Sequence, residues 1–105
     1  MSVLLVVTNL PDRAAAESLA RTLVERRLAA CVNVLAPCRS TYRWEGKLQT
    51  DEEHPVLIKT TRERYAALEA ALREGHPYDV PEIIAMPVER GLPAYLDWVR
   101  AETAG

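Results

Sequence analysis

Residues 39–61, RSTYRWEGKLQTDEEHPVLIKTT, constrain the fold of this chain more than any other stretch. Arg39, Thr41 and Arg43 alternate with Ser40, Tyr42 and Trp44, the period of a half-buried strand. Glu45-Gly46-Lys47 supplies turn chemistry, so the segment reads as a long β-hairpin. Its returning arm stays polar from Gln49 to His54 and becomes core-like only at Val56–Ile58. A hairpin whose outer half is polar and aromatic reaches beyond the core of its own subunit. Tyr42 and Trp44 share one face of it and are expected at an interface with a neighbouring subunit, because aromatic anchors dominate such contacts. The alternative, a base-stacking platform, lacks the basic groove that nucleic acid requires.

The rest of the 105 residues, one domain by length, supplies a conventional set of elements. Val3–Thr8 is a β-branched run that suits a central strand. In Asn9-Leu10-Pro11-Asp12 the proline fits a first helical position, with Asp12 at the positive end of the helix. Ala15, Leu19 and Leu23 then recur every four residues, predicting a helix to about Arg26. LAACVNVL, 28–35, reads as a second strand, with Leu28, Ala30, Val32 and Val34 on one face and Cys31 packed on the other. Thr60 and Glu63 form a capping box before the stripe Tyr65, Leu68, Leu72, and Gly75 suits the residue just past that helix. Glu82–Val88 is a further strand, ending or turning to an edge at Pro87. A last helix starts at Gly91-Leu92-Pro93 and carries Tyr95, Leu96 and Val99 on one side. The order β-α-β-β-α-β, with an extra C-terminal strand or helix, predicts an α+β protein. A ferredoxin-like sandwich, with helices on one face of an antiparallel sheet, is the economical solution.

Composition narrows the function. The net charge of −2, with no lysine or arginine block, argues against nucleic acid as a partner. The start MSVLLVVTNLPD has no basic leader region, and its apolar run is too short to span a bilayer; cytoplasmic residence and no membrane partner are expected. Cys31 and Cys38 are too few for a disulfide framework and match no common zinc spacing, so they are expected as free thiols. No phosphate-binding glycine loop, nucleophile elbow, HExxH or paired CxxC occurs, and the chain is not expected to be an enzyme.

GHPYDVPE, 75–82, is the stretch with the most chemistry. Its two prolines fix their own φ and push His76 and Val80 towards extended backbone. It leaves a helix C-terminus, whose free carbonyls carry partial negative charge. With His76, Asp79 and Glu82 together, the local field favours a divalent cation: imidazole suits copper or zinc, carboxylates suit harder ions. The plainer reading is that His76 covers the last helix carbonyls while the prolines set the entry angle of the strand. His54, after Asp51-Glu52-Glu53, offers a second candidate cation patch, but a solvated charged edge is the favoured reading. Lys59 and Tyr78 are the residues expected near a small-molecule ligand, with Lys59 and Arg62 able to meet an anion at a helix start.

Taken together, RLAACVNV (27–34), YRWEGKLQTDEE (42–53), LIKTT (57–61), HPYDVPEI (76–83) and YLDW (95–98) resemble the CutA divalent-cation tolerance family over nearly the whole chain. The resemblance implies a ferredoxin-like subunit in a homotrimer knitted together through the sheet and the long hairpins. It implies a link to tolerance of copper and other divalent ions, and a plan similar to PII signalling proteins, which bind small effectors between subunits. It also implies His76 as a metal donor. Gly75 stands where some relatives have a second histidine, and Thr8 where some have a cysteine, which favours harder ions.

Overall fold

The alternation of residues along the first and fourth strands decides which face of the sheet is buried. The computed structural model describes residues 2–105. The elements are β1 (Val3–Leu10), α1 (Arg13–Glu25), β2 (Cys31–Val34), β3 (Cys38–Trp44), β4 (Lys47–Thr61), α2 (Arg62–Gly75), β5 (Ile83–Pro87) and α3 (Pro93–Thr103). The sheet is antiparallel with order β2-β4-β1-β5, and β3 pairs with the outer half of β4. This is the α+β, ferredoxin-like arrangement expected from the element order. The extra C-terminal element is a helix alone.

In the β1–β4 register Leu4 opposes Thr60, Val6 opposes Ile58 and Thr8 opposes Val56. These residues are buried and form the helix-facing side. Leu23 of α1 and Leu68 and Leu72 of α2 complete the core against them, all fully buried. Each such leucine contributes about 1.5–3 kcal/mol by leaving water. The other side of the sheet carries α3 at one end, where Val99 is buried with Val3 and Ala30, and is open beyond it. Leu5, Val7 and Leu57 are only half-buried there, while Ile84 and Met86 on β5 are 50% and 43% exposed.

Local chemistry sets the boundaries, and several differ from the sequence reading. Asp12 is the N-cap of α1, its carboxylate accepting from Ala15 N at 2.8 Å, so Pro11 precedes the helix. At the other end Leu28 N bonds Leu23 O and Arg27 N bonds Val24 O, a Schellman pattern with Arg27 at φ 57°. The reversal carries Leu28, Ala29 and Ala30 inward one after another, so the second strand begins at Cys31 rather than Leu28. Thr60 is not a cap: it lies in β4 and donates its hydroxyl to Leu28 O at 2.6 Å. Thr61 takes the N-cap position without a side-chain bond, and Gly75 is the last helical residue.

The hairpin turns at Glu45-Gly46, both at positive φ, and Lys47 pairs with Trp44 rather than joining the turn. Two positive-φ residues match the twist of the flanking strands. The molecule measures 44 × 25 × 23 Å with a radius of gyration of 14.2 Å. A compact chain of this length has a radius of about 13 Å. The hairpin accounts for the difference, since the β3 ladder pairs only with β4.

Candidate functional site: a cleft between hairpin and loop

The segment joining α2 to β5 is fastened to the end of β1. His76 is 9% exposed, and its Nε2 lies 2.7 Å from Asn9 O. Its Nδ1 lies 3.2 Å from Tyr78 N. A backbone N–H can only donate, so Nδ1 is the acceptor and Nε2 carries the hydrogen given to Asn9. Both ring nitrogens are therefore engaged, with β1 and the loop's own backbone rather than with the last carbonyls of α2. Glu82, at the far end of the loop, accepts from Asn9 Nδ2 at 2.8 Å. Asn9 thus ties down both ends of the segment.

Between this loop and the hairpin lies a cavity of about 560 Å³. Its walls include Tyr42, Trp44, Tyr78, Glu53, Asp79 and Glu82, and among the described residues no lysine or arginine lines it. The alternation along the hairpin explains the set: Ser40, Tyr42 and Trp44 share a face with Asp51 and Glu53, the side opposite α1 and α2. The Tyr42 hydroxyl donates to Asp51, and the Tyr78 hydroxyl faces Glu53. Burial, followed by the nearness and charge of Glu53, pushes the Tyr78 phenol up to about 12. The Asp51 bond raises Tyr42 as well.

Tyr78 gives a test of this geometry. Its pKa is higher folded than unfolded, so its contribution to stability is complete below about pH 10 and is lost as pH rises through about 12. An ultraviolet titration of the folded protein should show a phenol ionising at about 12, and Tyr78→Phe should delete that step.

The structure thus brings Asp79, Glu82, Tyr78, Tyr42 and Trp44 to one cleft, with His76 holding the loop beneath them. Lys59 does not line it. Lys59 sits six residues from Glu53 along β4, roughly 20 Å at strand spacing, with its Nζ bonded to Asn33 and 4.0 Å from Cys31 Sγ. His54 is not part of a solvated edge: it faces the helices opposite Leu10, is 9% exposed and lies 3.4 Å from Leu35 O. Thr8 is fully buried on the helix side, away from the cleft, with no partner for its hydroxyl among the described residues. Glu53 and Asn9 are cleft residues that sequence reasoning did not join to the 75–82 loop. Glu53 was legible from the strand period; nothing in the sequence marks Asn9.

Among the described residues no three His, Cys, Asp or Glu side chains stand close enough to hold a metal ion. A closed shell for copper or zinc takes three or four such donors.

The profile of the CutA1 divalent ion tolerance protein family matches residues 4–102. The chain belongs to the CutA1 family. It is 43% identical over 98 residues to the divalent-cation tolerance protein CutA of Thermus thermophilus, covering 93% of this chain and 95% of that one. The crystal structure of CutA from Xylella fastidiosa superposes with a TM-score of 0.95 at 45% identity, covering 98% and 99% of the two chains. The chloroplastic CutA of Arabidopsis thaliana is 40% identical over 100 residues, 95% of this chain but 55% of that one. The chain thus spans about half of the plant protein. Among the described residues no helix is long and apolar enough to cross a membrane.

Proposed function

We propose that this CutA1 protein acts as a cytoplasmic homotrimer in divalent-cation tolerance, binding ions without transforming a substrate. The observation that carries the reading is the cleft lined by Glu53, Asp79 and Glu82, with no basic residue in its walls among the described residues. A concave site of one sign concentrates counter-ions. The name of the Thermus thermophilus relative supports the same role.

The donor chemistry favours a hydrated ion held through carboxylates over a dry copper site. Asp79 and Glu82 supply charge, and carboxylate oxygens suit ions that keep much of their water. His76 becomes a copper or zinc donor only when a backbone bond to its ring opens, and the 3.2 Å contact with Tyr78 N is the longer of the two. Further ligands come from sister subunits, which also cover the open face around Leu57, Ile84 and Met86. The outer edges of Tyr42 and Trp44, 42% and 44% exposed in the single chain, belong to that contact.

Titration with manganese, copper and zinc tests the assignment. Asp79→Asn with Glu82→Gln should weaken manganese binding by about tenfold, the effect of losing roughly 1.4 kcal/mol of attraction. Unchanged isotherms for all three ions would remove the carboxylates from the account.

The volume of the cleft favours a second reading, an effector-sensing trimer of the PII kind. An anion held by both Lys59 and Tyr78 would have to bridge two subunits, because one chain keeps them apart. Saturable thermal stabilisation by a nucleotide or metabolite in chelator would favour it.

A further inference from the structure

We propose that the cleft between the hairpin and the 77–82 loop binds small organic ammonium ions. The inference shares its location with the divalent-ion reading but does not depend on it. The features that leave a bare metal ion poorly served are the ones a bulky cation uses. A metal needs several donors at fixed short distances, and no such group exists among the described residues. An alkylammonium ion spreads its charge over a larger surface. It is stabilised by aromatic faces and by carboxylates at looser distances.

The walls supply both. Three aromatic rings, Tyr42, Trp44 and Tyr78, line the space together with Glu53, Asp79 and Glu82. Its volume of about 560 Å³ lies within the range of small-molecule sites, about 300–1,000 Å³. Two of the rings are held in place before any ligand arrives, Tyr42 by its bond to Asp51 and Tyr78 by packing on the His76 ring, centroids 4.9 Å apart. Such preorganisation lowers the entropy lost on binding.

Glu53 points the same way independently. It is 9% exposed, and among the described residues no lysine or arginine pairs with it; the ion pairs there are Arg13–Glu17 and Arg100–Asp97. It faces the neutral Tyr78 phenol across the cleft. A buried carboxylate without a counter-ion is costly, and a cationic guest offsets that cost.

Choline and its uncharged carbon isostere 3,3-dimethylbutan-1-ol are the probes. Trp98→Phe leaves Trp44 as the only tryptophan, so its fluorescence reports the cleft. In buffer with chelator, choline should give a saturable change, with the alcohol about tenfold weaker or more. Glu53→Gln and Asp79→Asn should each weaken choline several-fold and leave the alcohol unchanged. Equal response to choline and alcohol, or no saturation by choline, would overturn the proposal, as would indifference to both substitutions. Manganese titration of the same samples separates the two readings. Manganese binding without choline binding removes this inference alone, and choline binding without manganese binding supports it while removing the other.

Discussion

His76→Ala should lower the unfolding free energy by about 3 kcal/mol, the sum of two lost hydrogen bonds whose partners are left behind. The cost follows from position. Nε2 meets Asn9 O at the end of β1, and Nδ1 meets Tyr78 N within the loop, so one ring joins two segments 67 residues apart. With the ring gone, Asn9 O and Tyr78 N lose their partners at a place where the ring excluded water. His76→Gln, which keeps a donor and an acceptor, should recover part of the loss. Denaturant unfolding of the three proteins at fixed concentration measures the effect. Loss of copper binding with stability unchanged would instead make His76 a ligand and not an anchor.

Ile84→Arg should break the proposed trimer, weakening association by about a hundredfold or more, because an unpaired charge buried at an interface costs about 3–5 kcal/mol. Ile84 lies on the side of the edge strand β5 away from α1 and α2, opposite Val7, and is half exposed in the single chain. Leu5, Val7, Leu57 and Met86 share that side. An apolar sheet face of this kind marks a contact surface. Light scattering across a dilution series reads the result. A variant that keeps the wild-type mass down to micromolar concentration would place the seam elsewhere.

Much of this fold was legible because two periods dominate the chain. The spacing of Leu19 and Leu23, and of Leu68 and Leu72, gave both long helices, and the alternation from Arg39 to Trp44 gave the hairpin. The misreadings sit where one residue redirects the backbone. Arg27 enters left-handed conformation without being glycine, so the apolar run from Leu28 looked like strand before it was one. The pair Thr60-Thr61 offered two cap positions, and the Thr60 hydroxyl was claimed by Leu28 O across the fold. In the site, Asp79, Glu82 and Tyr78 could be placed near one another by sequence proximity alone. What the loop folds against could not. The meeting of Glu53 with Tyr78, and of Asn9 with both His76 and Glu82, depends on tertiary register that local pattern does not encode.

The central claim is that sister chains cover the projecting hairpin and the open sheet face. The mass of the unmodified protein in solution, by sedimentation equilibrium at micromolar concentration, tests it most directly. A species of about 35 kDa, three times the 11.7 kDa chain, is the expected result. A folded species of 11.7 kDa, unchanged as concentration rises, would contradict it.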